Sequence, residues 1–279
     1  MKTHIQKRPV LFSIVAAVII MVLFLLAEVL IQSGLSSSSL MFVDSGLRII
    51  LAVLCLLFLG LIIQGNGFKF AFTTKGLGKG ALASVVFILL ALITVVPYIT
   101  RAYIPQAPAV ITQMLANGLF EESLSRGVLI TAMLIKWGGT IKGRILIVAF
   151  SGVVFGAYHL VNFANYPDIG GILLFMSKAA VFGIGMAAIY AFSRNLLICM
   201  ILHTLWDIAV KVKNHIALLL NPVLMIRLSN IKTVAFFIVI PLLAIVLCII
   251  AKPFRVREAA VGPDDLEQSS PQPPEPTAP

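Results

Sequence analysis

The chain has 279 residues, of which 60 % are hydrophobic and 11 % are charged. An ordinary soluble domain carries about 25 % charged residues, so this composition excludes one and points to a polytopic membrane protein with a single helical domain. The formal charge of +10 is not a nucleic-acid signal, because the Lys and Arg residues gather at the ends of apolar runs, where they set topology.

A membrane span requires about 20 apolar residues. On that basis eight helices are predicted, at about 10–32, 45–63, 81–100, 108–136, 145–163, 170–192, 195–213 and 231–251. The fold class is therefore all-α, a membrane-embedded helical bundle over residues 1–257. The first run, Val10 to Ile31, is too long for a signal-peptide core and has no small-residue cleavage site after it, so it reads as a retained span. Ser-rich and Gly-rich stretches, 33–39 and 65–80, supply the first turns.

With the amino terminus inside, thirteen Lys and Arg fall on the cytoplasmic side, among them Lys69, Lys142, Arg144, Arg194 and Lys252. Six fall opposite: Arg48, Arg101, Lys211, Lys213, Arg227 and Lys232. That asymmetry places both termini in the cytoplasm. The segment 214–230 conflicts with the count and reads as interfacial or re-entrant. From Glu258 the chain turns to Pro, Glu, Asp, Ser and Gln, and the tail 258–279 is predicted to be disordered. Cys55, Cys199 and Cys248 lie singly in apolar runs and read as buried thiols.

The fourth span interrupts its apolar run with Glu121, Glu122 and Arg126. Ionised groups at bilayer depth cost roughly 2.5–3.5 kcal/mol each, so three together require partners. Residues four apart on a helix share a face, about 40° apart around the axis. Glu122 and Arg126 are so placed and read as an internal ion pair, which leaves Glu121 for chemistry. The same spacing relates Phe155 to His159 and His203 to Asp207. At 1.5 Å per residue, Glu121, His159, His203 and Asp207 all fall within a layer about 10 Å thick, which one polar cavity could contain. Asn162 and Asn165 are placed to orient the site. Lys178 lies near an interface, where snorkelling accounts for it, and His4 and His215 lie near span ends and read as solvated.

Taken together, Glu121-Glu122-x-x-x-Arg126, Phe155-x-x-x-His159 and His203-x-x-x-Asp207, in this order on three hydrophobic segments between about 110 and 210, resemble the motif set of the CPBP family. That family comprises the type II CAAX prenyl endopeptidases and the bacterial bacteriocin-processing or Abi-type intramembrane proteases. The resemblance implies an eight-span helical fold with a conical cavity open to the cytoplasmic side, and proteolysis within the membrane. It implies that Glu121 and His159 activate the attacking water. His203 and Asp207 would stabilise the oxyanion, while Glu122 and Arg126 hold the site together. Where the eukaryotic prenyl proteases have Asn, this chain has Asp207, and an ionised carboxylate has no hydrogen to donate to an oxyanion. Either the apolar setting holds Asp207 protonated, or Asp207 orients His203 through the second ring nitrogen, and the second is the preferred reading.

The cofactor is left open. Glu121, His159 and His203 would give a catalytic zinc three ligands and an open position, as a metalloendopeptidase needs. The same groups can work without metal, with Glu121 as general base. No His-Glu-x-x-His helix is present, and the metal-free route is the preferred reading. The expected partners are membrane lipid and a peptide or protein substrate, either lipidated or a small leader peptide, with no nucleic acid. The expected location is a bacterial cell membrane. Two other readings stand beside this one: a non-catalytic scaffold or bacteriocin-immunity protein of the same family, and a proton-coupled transporter. The transporter is disfavoured by the lack of an internal repeat between 1–140 and 141–260.

Overall fold

The structure, a computed structural model, describes residues 8–31, 37–95, 107–160, 168–215 and 222–253. The tail 258–279, His4, Asn162, Asn165 and residues 216–221 of the expected interfacial segment lie outside them. The described residues form only helices: α1 (Pro9–Ile31), α2 (Ser37–Ile63), α3 (Gly67–Ala71), α4 (Leu77–Ala83), α5 (Val85–Val95), α6 (Ala107–Glu122), a π-helical segment (Ser123–Ile130), α7 (Thr131–Trp137), α8 (Ile141–Tyr158), α9 (Ile169–Ser193), α10 (Leu196–His215) and α11 (Pro222–Ile250). A helix satisfies its own backbone polar groups, which is what a chain in hydrocarbon requires.

Five of these helices, α1, α2, α8, α9 and α11, are long and apolar enough to cross a membrane. Their outward faces expose large apolar side chains such as Val18, Leu57, Val153 and Leu242, which in water would be a liability and in lipid is the solvated state. The protein is an integral membrane protein. The sequence-predicted span 81–100 is broken: Ser84 separates α4 from α5, and its hydroxyl bonds back to the Gly80 carbonyl at 2.6 Å. The second span begins earlier than expected, at Ser37 instead of 45, which brings Asp44 inside the helix.

Close packing follows small residues, as between membrane helices generally. A Cβ at Gly152 of α8 would stand 2.3 Å from Ile184 Cγ1 of α9 and 2.7 Å from the Ala180 carbonyl. A Cβ at Gly118 of α6 would stand 2.4 Å from Thr204 Oγ1 and 2.9 Å from the Met200 carbonyl, both on α10. These contacts bring α8 onto α9 and α6 onto α10.

Polar ties close one end of the bundle. Asn195 Nδ2 donates to the carbonyls of Thr73 and Lys75 at 2.7 and 3.0 Å, while its Oδ1 caps the Ile198 N–H. Arg194 reaches the carbonyls of Lys252 and Pro253. Arg144 donates to the Cys248 carbonyl at 2.8 Å and to the Gly138 carbonyl at 2.9 Å. Arg144 is thus a buried cross-link between α8, α11 and the end of α7, not the solvated flanking charge its place in the sequence suggests. Cys55, Cys199 and Cys248 are buried free thiols, as expected.

Candidate functional site

The acidic helix changes its winding at the site. From Ser123 to Ile130 the turns widen to π geometry, and the Thr131 N–H reaches the Arg126 carbonyl five residues back. Thr131 Oγ1 donates to that same carbonyl at 2.8 Å and pairs with the Tyr190 hydroxyl of α9 at 2.5 Å. Two buried hydroxyl groups therefore hold the π segment against α9. At its start, the Ser125 hydroxyl donates to the Glu121 carbonyl.

Glu122 and Arg126 form the expected ion pair, Nη1 to Oε1 at 2.9 Å, with both side chains fully buried. Arg126 also donates to Ser125 Oγ at 2.7 Å and to the Gly183 carbonyl of α9 at 3.0 Å. Its guanidinium carbon lies 4.8 Å from the Phe155 ring centroid on α8. One cation therefore ties the π segment to α8 and α9. The same Glu122 Oε1 lies 2.8 Å from His203 Nδ1, which adds α10. A carboxylate already paired with a guanidinium accepts, so Nδ1 donates and the His203 ring is fixed in orientation.

The other ring nitrogen, His203 Nε2, faces two carboxylates. Glu121 Oε2 stands 3.7 Å away and Asp207 Oδ1 3.8 Å away. The expectation that Asp207 orients His203 is therefore corrected, since the carboxylate at hydrogen-bond distance is that of Glu122. The i,i+4 spacing puts Asp207 beside the ring, but the close packing of α6 against α10 brings Glu122 nearer. Asp207 is hydrogen-bonded instead by the Asn117 side chain, one turn before Glu121. Glu121 Oε2 is buried and has no hydrogen-bond partner among the described residues. Its other oxygen, Oε1, lies 3.9 Å from Arg48 Nη1 on α2.

His159 caps the end of α8 and donates through Nδ1 to the Phe155 carbonyl at 2.8 Å; a carbonyl can only accept, so its acceptor nitrogen is Nε2. Its ring packs against Phe155, Tyr158 and Phe175, with centroids 4.9, 5.4 and 5.3 Å away. The Phe155 ring also meets His203 at 5.8 Å. Glu121, Glu122, Arg126, His203 and Asp207 thus form one connected cluster, and His159 joins it across the Phe155 ring.

Sequence reasoning missed Arg48, Asp44, Gln113 and Asn117. Arg48 Nε donates to Asp44 Oδ1 and Oδ2 at 2.8 and 3.0 Å, and Gln113 Nε2 donates to Asp44 Oδ2 at 2.8 Å. The signal was present: Asp44 and Arg48 repeat the four-residue spacing of Glu122 and Arg126 inside an apolar helix. Among the described residues no three His, Cys, Asp or Glu side chains converge on a point a metal ion could occupy.

Residues 103–209 match the family model described as Type II CAAX prenyl endopeptidase Rce1-like, a protease family. No curated protein and no solved structure matches the chain. The matched segment contains all seven named residues of the three motifs, which lie in an all-helical membrane bundle and include a buried cluster of carboxylates and histidines. Over that segment the chain is similar to the type II CAAX prenyl endopeptidases, and the match supports the resemblance to the CPBP family that the three motifs carry.

Proposed function

We propose that the protein is an intramembrane endopeptidase that hydrolyses a peptide bond near the membrane surface, with Glu121 as the base that takes a proton from water. The observation that carries this reading is the different employment of two adjacent glutamates. Each keeps a buried Oε2 without a hydrogen-bond partner among the described residues, but Glu122 is spent through Oε1 on Arg126 and His203 at 2.9 and 2.8 Å, whereas Glu121 is held only at ion-pair range, its free Oε2 3.7 Å from His203 Nε2. An acceptor so held is a general base in search of a proton.

The step balances without a cofactor. The water oxygen bonds to the carbonyl carbon as Glu121 takes one water proton, and the carbonyl electron pair moves to its oxygen. His203, as an imidazolium whose Nδ1–H is held by Glu122, supplies its Nε2–H to that oxyanion, with Asp207 and Asn117 beside it. Collapse breaks the C–N bond, and the leaving amine takes the proton from Glu121. His159 Nε2 accepts the second hydrogen of the water and orients it.

The substrate class that suits the family is a peptide with a lipidated CAAX-type end or a small leader peptide. Within the reading of eight spans, the continuous α6–π–α7 helix, the α4–α5 region and α10 complete the five apolar helices. The loops tied together by Arg144, Arg194 and Asn195 carry the basic excess and form the cytoplasmic face. Cleavage of prenylated and leader-type peptides by purified protein in lipid tests the reading. It predicts cleavage by wild type and loss in Glu121→Gln and His203→Ala.

A further inference from the structure

Arg48 is a largely buried cation beside the cluster for which the proposed reaction has no role. It lies on α2, outside the 103–209 segment that carries the family match. Its side chain is 12 % exposed and that of Glu121 is 11 % exposed. Residues of three elements, α1, α2 and α6, surround its guanidinium. Asp44, one turn earlier on α2, receives Nε with both oxygens. Gln113 of α6 holds Asp44 in turn, at 2.8 Å. The Phe24 ring of α1 covers the guanidinium, its centroid 4.5 Å from Cζ. Its Nη1 also lies 3.9 Å from Glu121 Oε1. The chain of contacts Gln113, Asp44, Arg48, Glu121 therefore leaves α6, crosses to α2, and returns to α6 two turns further along.

This geometry divides the Glu121 carboxylate. The terminal torsion of a glutamate is broad, so an unrestrained carboxylate presents either oxygen. Here the cation faces Oε1, and Oε2 turns to His203 Nε2 at 3.7 Å. We infer that Arg48 is a positioning residue for Glu121, holding one carboxylate oxygen so that the other faces the reacting water. This inference rests on the reading of Glu121 as the base. The competing role is purely structural: Asp44 and Arg48 would neutralise each other inside the membrane and leave Glu121 unaffected.

Two measurements on the full chain in lipid separate these roles. The first is cleavage kinetics on a peptide panel with farnesylated CAAX-type and leader-type members, comparing wild type, Arg48→Gln, Arg48→Lys and Glu121→Gln. Misplacing a catalytic group by about 1 Å can cost about a hundredfold. Arg48→Gln is therefore expected to lower kcat about ten- to hundredfold with KM changed by less than about twofold, and Arg48→Lys to recover most of the loss. The second is a thermal-unfolding cycle of Arg48→Gln, Glu121→Gln and the double variant. Coupled side chains are expected to give a double-variant Tm loss smaller than the sum of the single losses.

A folded Arg48→Gln protein with wild-type kcat, or a strictly additive cycle, overturns the inference while leaving Glu121 as the base. If Arg48→Gln does not fold, Arg48→Met decides: a lowered kcat at unchanged KM supports positioning, and a kcat equal to wild type overturns it. If wild type cleaves nothing, or Glu121→Gln cleaves as well as wild type, the protease reading fails and the positioning role fails with it.

Discussion

His203 Nδ1 and Glu122 Oε1 lie 2.8 Å apart, and the same carboxylate oxygen takes Arg126 Nη1 at 2.9 Å. One atom thereby connects the acidic helix to α10 and, through Arg126, to α8 and α9. Removing one member of a buried pair leaves an uncompensated charge and costs about 3–5 kcal/mol. Arg126→Met is accordingly expected to lower the unfolding midpoint sharply and to abolish cleavage. An unfolding midpoint equal to wild type would mean the pair is not what holds these helices together.

Gly118 sets how closely the glutamates approach His203. A Cβ there would meet Thr204 Oγ1 at 2.4 Å and the Met200 carbonyl at 2.9 Å. Overpacking of this kind costs about 1–3 kcal/mol. Gly118→Ala should destabilise by that amount and lower kcat by moving α10 away from α6. Gly78→Ala serves as the control, since nothing stands within 4 Å of a Cβ at that position. Thermal unfolding of both variants, with kinetics on each, checks this.

Arg144 acts at the end of the bundle, remote from the motif residues. Its guanidinium serves the carbonyls of Cys248 and Gly138, and leaving buried acceptors unpaired costs about 1–3 kcal/mol. Arg144→Met should lower the unfolding midpoint while leaving kcat and KM near wild type in the folded fraction. A selective fall in kcat would show that this end of the bundle couples to the site.

Much of the cluster was legible because membrane burial makes ionisable residues rare. Glu122 and Arg126 paired as their spacing required, and His203 and Asp207 share a face as theirs did. What spacing cannot give is the rotation of one helix against another. Glu122, not Asp207, orients His203 because Gly118 lets α6 lie close on α10. Arg48 was counted as a flanking charge because hydropathy started the second span at 45, whereas the helix begins at Ser37 and encloses the Asp44–Arg48 pair. The π segment had no local signature; its anchor is a hydroxyl contact between Thr131 and Tyr190, 59 residues apart. The count of spans was hardest where charge and function coincide. The acidic helix and α10, which carry the cluster, are not among the five helices picked out by length and apolarity.

The most direct test is peptide cleavage by purified protein in lipid, wild type against Glu121→Gln, with prenylated and leader-type peptides and with and without a chelator. Gln keeps the size and shape of Glu121 but cannot take a proton from water. Cleavage by wild type that survives the chelator and is lost in a folded Glu121→Gln variant is the predicted result. Equal cleavage by the two proteins would contradict Glu121 as the base, and so would activity that disappears with the chelator and returns on adding metal.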